Sequence, residues 1–138
     1  MKQLTIKELS AYLPYELNVL HTTFIEFGKN RVFIDTLESL HEDCATFKSS
    51  MDYYFTDPQE NECEIKLILR PLSDLTKKEF RIKLKELGYR TDEDGISDII
   101  SDIQLMYANY EIMVFCFENH IDVFNLIPQN LAIDINTI

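Results

Sequence analysis

The chain has 138 residues, 46% of them hydrophobic and 12% aromatic, which is enough to bury a core and excludes wholesale disorder. Lys and Arg number 13 against 24 Asp and Glu, and the net charge of −11 is the opposite of what a protein built to grip nucleic-acid phosphates needs. Only 3 Gly and 4 Pro are present, which excludes collagen-like and low-complexity chains.

In chain order, Thr5 followed by Glu8 reads as a capping box opening a short helix. Leu9, Tyr12 and Leu13 form its apolar face, and Pro14 is its expected stop. Glu16 to Phe27 has strand character, and Gly28-Lys29-Asn30 reads as a hairpin turn. Arg31 to Leu37 alternates, predicting a strand with Phe33, Asp35 and Leu37 on one face and Val32, Ile34 and Thr36 on the other. Met51 to Phe55 suits a short strand, Thr56 to Asn61 a turn, and Glu64 to Leu69 a strand stopped by Pro71.

The second half changes period. Lys78 to Leu87 reads as a helix ended by Gly88. Thr91 to Gly95 reads as an acidic loop leading into a cap. From Ile96, apolar residues recur at 96, 99, 100, 103, 106, 107 and 110, a helical stripe. Residues 111–117 are a buried helix continuation or a central strand, with a break near Ala108-Asn109. Residues 127–130 read as a turn and Leu131 to Ile135 as a final strand. The expected class is α+β in a single domain, 1–138. Residues 1–72 are a small antiparallel sheet or partial barrel after a short helix, and 73–138 are mainly α with a C-terminal strand.

The opening MKQLTIKELSAYLPY has no long apolar region and does not read as a signal peptide. The longest apolar run, Ile112 to Phe117, is far short of the ~20 residues a membrane span needs. Cys44, Cys63 and Cys116 show no CxxC spacing and read as reduced thiols.

Catalytic motifs are not apparent. His21, His41 and His120 lack metal-site spacing, and His41 with Cys44 has no second half-site. His120 reads as a histidine complementing a helix C-terminus. Ser49, Ser50, Ser73 and Ser101 lack elbow glycines, and acids around Cys44 raise a thiol pKa rather than lower it. The expectation is no enzyme, no cofactor and no metal.

Charge, in contrast, is organised in blocks. Residues 35–64 carry nine acids against one Lys, residues 65–90 eight Lys or Arg against three acids, and residues 91–138 nine acids with no Lys or Arg. Asp94, Asp98 and Asp102 recur every ~6 Å of helix rise on the side opposite the apolar stripe. Such a row is a solvated face, or one that binds a protein or mimics a nucleic-acid backbone. With Glu111 and Glu118 it makes the candidate partner-binding set. Lys77, Lys78, Arg81 and Lys85 form a secondary basic patch, which pairs with acids of the chain itself or touches a phosphate.

Three stretches, TIKELSAYLPYELNVL (5–20), IKLILRPLSDLTKKE (65–79) and HIDVFNLIPQNLAIDIN (120–136), together resemble a family of small phage and prophage proteins. That family shares an LAPYLPYGLKV-like opening, a central ILRPLSDLTKE and a C-terminal DVFGLIEKGLAIDIN. This chain departs where the family has Gly: Glu16 and Asn125 stand there, and Pro128-Gln129-Asn130 replaces the EKG turn. Asn tolerates left-handed backbone, so the fold is expected to survive at 125 and 130. Among the polar motif residues, Arg70, Asp74 and Asp134 read as ion pairs or caps. The resemblance implies a phage setting and the cytoplasm of an infected bacterial host, with no membrane role. In that setting the implied function is a non-enzymatic inhibitor of host defence. It would resemble an anti-CRISPR protein, docking on the basic surface of an RNA-guided nuclease effector of the type VI-B class, or on its ribonucleoprotein, without itself binding nucleic acid. The alternatives are a phage adaptor for replication, recombination or virion assembly, and an enzyme whose pocket gathers His41, Cys44, His120 and acids.

Overall fold

The structure, a computed structural model, describes residues 4–25, 29–41, 43–55 and 63–138, without the side chains at 23–25 and 29–30. The capping box forms: the Thr5 N–H donates to Glu8 Oε2 at 3.1 Å and opens α1 (Ile6–Tyr12). Pro14 does not end the helical path outright. It lies in the 3-10 turn Leu13–Tyr15, which stops at Glu16 in left-handed backbone, φ 54.

Six strands follow: β1 (Asn18–Ile25), β2 (Lys29–Leu40), β3 (Cys44–Phe47), β4 (Asp52–Tyr54), β5 (Cys63–Leu69) and β6 (Ala132–Asp134). They form one sheet in the order β4-β3-β2-β1-β5-β6, antiparallel except for the parallel β5–β6 pair. The alternation of residues 31–37 is realised, with Asp35 and Leu37 buried and Val32 and Ile34 exposed. Lys29 and Asn30 already pair within β2 instead of turning, because Ile25 is opposite Lys29. The rest of that turn, Gly28, the last two residues of the expected first strand, 26–27, and the turn expected at 56–61 lie outside the described residues.

The register of β2 against β3 shifts between Leu37 and Ser39, and a bulge of this kind bends its strand. The sheet curls far enough that Cys63 Sγ lies 4.0 Å from the Asp52 carbonyl, bringing β5 beside β4. The first half is therefore an antiparallel sheet rolled part of the way towards a barrel.

Three helices follow: α2 (Lys78–Glu86), α3 (Glu93–Gln104) and α4 (Tyr110–Glu118). Two expectations need correction. Residues 93–95 are the first turn of α3 and not a loop, because Asp92 caps the helix and accepts from the Gly95 N–H at 2.8 Å. The apolar stripe runs only to Ile103. Met106 takes φ 60, the chain turns, and Met106, Tyr107 and Tyr110 are left exposed. Asn109 then caps α4, accepting from the Ile112 N–H at 2.9 Å, so residues 111–117 are a separate helix and not a strand.

Two apolar clusters result. One lies between the sheet and α1, around Leu9, Leu17, Leu67, Leu69 and Phe47. The other lies among α2, α3 and α4, around Leu84, Ile96, Ile103 and Phe115. Each fully buried Leu or Ile contributes about 1.5–3 kcal/mol. Phe117 packs against both clusters, and buried Tyr12 meets it edge-on at 5.3 Å between centroids. The Tyr12 hydroxyl donates to the Ile121 carbonyl at 2.5 Å and accepts from the Val123 N–H at 3.3 Å, which satisfies it inside the joint. Among the described residues, no helix is long and apolar enough to cross a membrane.

Candidate protein-binding surface

The stretches 5–20, 65–79 and 120–136 converge on that joint. The Arg70 N–H donates to the His120 carbonyl at 2.7 Å, and the Asp122 N–H to the Arg70 carbonyl at 2.8 Å. His120 Nε2 donates to the Tyr15 carbonyl at 2.6 Å, a tie to the first helical segment that the C-terminal reading of this histidine did not foresee. Asp74 accepts from Arg70 Nη1 and Lys77 Nζ, both at 3.4 Å, and from Asn136 Nδ2 at 3.2 Å. Asp134 accepts from the Asn136 N–H at 2.8 Å. Buried Asp122 receives the Leu126 and Ile127 N–H groups at 2.7 and 2.9 Å. Arg70, Asp74 and Asp134 are thus ion pairs and caps. Glu16, Asn125 and Asn130, the three positions where the resembling motifs carry Gly, have φ 54, 60 and 61. Arg70, Asp74, His120, Asp122 and Asp134 are all engaged in holding the scaffold.

Histidine, serine and cysteine do not assemble a reactive site among the described residues. His21 is sealed in the sheet, stacked on Phe33 at 5.2 Å, with Nδ1 3.1 Å from Asp35 Oδ2. Ser49 also donates its hydroxyl to Asp35, so the carboxylate sits between the two. An activated nucleophile needs its hydroxyl on the base, and here it is on the acid. His41 contacts Ser39 at 3.4 Å and its N–H closes a hairpin onto the Cys44 carbonyl at 2.8 Å. No group of three or more His, Cys, Asp or Glu that could hold a metal occurs among the described residues.

The acidic row is different. Asp94, Asp98 and Asp102 are all exposed along α3. Arg90 is the last cation of the chain, and its guanidinium is held 2.7 Å from Asp92 and 3.7 Å from Asp94. Asp98, Asp102, Glu111 and Glu118 have no ion pair among the described residues. Tyr89, the neighbour of Arg90, accepts from Asn109 Nδ2 at 2.9 Å, so two adjacent residues tie the caps of α3 and α4 together.

Glu111 and Glu118 line a groove of ≈ 650 Å³ between α2 and α4. They bracket Val114 and Phe115 at the spacing i, i+3, i+4, i+7, which is one face of a helix. From α2 come Lys83, Glu86 and Leu87, and Tyr110 stands at the mouth, 84% exposed. Asp94, Asp98 and Asp102 do not line this groove. Sequence reasoning missed Leu87, Tyr110 and Val114. The signal for Val114 is present in the Glu111–Glu118 spacing, whereas Tyr110 falls in phase with the apolar stripe from Ile96 and its exposure has no local signal.

The basic patch is divided. Lys77 is engaged by Asp74 and also donates to Asn136 Oδ1 at 3.1 Å, whereas exposed Lys78 and Lys85 make no ion pair among the described residues. Arg81 is half-buried with Nε unpartnered among the described residues.

No family model, curated protein or solved structure matches this chain.

Proposed function

We propose that this chain is a non-enzymatic, stoichiometric inhibitor that docks through its acidic helical surface on a basic partner. The observation that carries the proposal is the exposed run of Asp94, Asp98, Asp102, Glu111 and Glu118 in a segment with no Lys or Arg of its own. Asp94 is shared with Arg90, and the other four make no ion pair among the described residues; acids left so leave a field that speeds association with a basic surface and makes it salt-sensitive. Exposed Tyr107 and Tyr110 beside them add the aromatic contact area that protein interfaces favour. The phage setting rests on the three resembling stretches. In that setting the partner is a host RNA-guided nuclease effector of the type VI-B class, in the bacterial cytoplasm, and the protein is an anti-CRISPR inhibitor.

The test is a cell-free cleavage assay of purified effectors with and without the protein across a salt series, with Asp94→Lys/Asp98→Lys alongside. Inhibition that fades with salt and with the double variant is expected. Inhibition unchanged by the variant removes the α3 face from the mechanism. No effect on any effector class leaves the adaptor role in phage replication, recombination or assembly.

A further inference from the structure

We infer that the groove between α2 and α4 is the seat for an amphipathic helix of the partner, carrying one apolar ridge flanked by two cations two turns apart. The inference rests on the reading of the chain as a protein-binding inhibitor and names the shape of what it binds.

The floor of the groove is apolar. Val114 and Phe115 rise from α4 and Leu87 from the end of α2, and a helix laid between two helices inserts its own apolar ridge into such a trough. The groove, ≈ 650 Å³ and open to solvent, is in the size range of sites that bind drug-sized ligands. The ends of the trough are charged. Glu111 and Glu118 stand two helical turns apart, about 10.5 Å along the axis. No cation of the chain pairs with either among the described residues. Lys83, the cation on the opposite wall, is drawn over the Phe80 ring at 5.7 Å. An occupant therefore has to bring its own positive charges.

The spacing of the two glutamates selects the conformation of the occupant. Cations on one face of an extended strand recur at about 6.6 and 13 Å, and neither distance matches. On a helix, positions i and i+7 lie about 10.5 Å apart on the same face, with i+3 and i+4 between them. The complementary sequence is Lys or Arg at i and i+7 with Leu, Ile, Met or Phe at i+3 and i+4. It is the charge-reversed image of Glu111, Val114, Phe115 and Glu118.

Fluorescence anisotropy on the full chain tests this with a labelled Ala-rich helical peptide bearing Lys at i and i+7 and Leu at i+3 and i+4. Saturable binding is expected, absent for a scrambled peptide of the same composition. Glu111→Lys/Glu118→Lys turns two attractions into repulsions and is expected to weaken binding about tenfold or more. A peptide with Glu in place of both Lys restores binding to that variant. Glu38→Lys/Glu64→Lys, an equal charge change on the sheet, leaves binding as it was, and circular dichroism establishes that each variant is folded. Equal binding of the scrambled peptide, or indifference to the groove charges, overturns the inference. The two readings fail separately. Effector inhibition that survives Glu111→Lys/Glu118→Lys but not Asp94→Lys/Asp98→Lys removes the groove and keeps the inhibitor. Specific peptide binding without inhibition of any effector keeps the groove and removes the inhibitor.

Discussion

His21 on β1 and Asp35 on β2 meet diagonally across the strand pair, with Nδ1 3.1 Å from Oδ2 and their side chains 0% and 4% exposed. Burial alone would raise the Asp35 carboxyl. The Ser49 hydroxyl, the Thr36 N–H, His21 and the Ser49 N–H outweigh it and hold the carboxyl below its ordinary value. Asp122 goes the other way, because burial outweighs its two backbone donors and raises it. Asp35 therefore contributes stability that is present above the unfolded carboxylate value of about 3.9 and is lost as pH falls through its lower folded value. Asp122 contributes stability present below about 3.9 and lost as pH rises through its higher folded value. Carboxyl-carbon NMR titration is expected to place the two on opposite sides of the ordinary Asp value. Asp35→Ala removes the acceptor of four donors and should cost about 3 kcal/mol in urea melts at neutral pH.

Glu16 pays a steric penalty that Gly would not. Left-handed backbone costs a residue with a Cβ roughly 1–2 kcal/mol. Glu16→Gly is expected to raise the melting temperature by about 3–5 °C, some of the gain being offset by the entropy of Gly in the unfolded chain. Scanning calorimetry decides it, and an unchanged or lower melting temperature would show that this turn is not strained.

Gly95 tolerates no side chain. A Cβ there would lie 2.8 Å from the Arg90 carbonyl carbon, which is backbone and cannot rotate away. Gly95→Ala is expected to displace the α2–α3 connection and cost about 2–3 kcal/mol, despite the better helix propensity of Ala. Chemical denaturation beside Ser97→Ala, an exposed change in the same helix, separates the clash from propensity.

The three thiols should react in order of exposure. Burial pushes the Cys116 thiol up to about 12, and it lies in the helical cluster. Cys44 is half-buried, and Cys63 is buried beside β4. Timed iodoacetamide labelling at mild alkaline pH is expected to modify Cys44 first and Cys116 only when the chain unfolds. Early labelling of Cys116 would mean that α4 opens locally.

Much of this architecture could be read from local patterns, and the failures share a cause. Residues 31–37 alternate because one face of β2 is buried, and Thr5 with Glu8 marks a helix start within four residues of chain. Strand β3 is only Cys44–Phe47, too short for its alternation to stand out. The pairing of Leu67 with Ala132 joins distant segments, and nothing local to either announces it. The acids at 111 and 118 were legible as charges, but the groove they flank needs a second helix whose placement is tertiary. The break expected near Ala108-Asn109 is present, with Asn109 capping α4, but the chain already turns at Met106 in left-handed backbone, where no Gly or Asn stands, so the stripe ends sooner than its apolar phase suggests.

The bond between Tyr12 and Ile121 spans 109 positions of sequence, and that sets a clock. A ribosome adding about 5–20 residues per second needs about 5–20 s to travel from the donor to its acceptor. During that interval β1 can pair with β2, but the first helix has neither its hydrogen-bond partner nor the aromatic wall of α4. The joint closes only once the segment around Ile121 and Val123 has been made, because both backbone partners of the Tyr12 hydroxyl lie there.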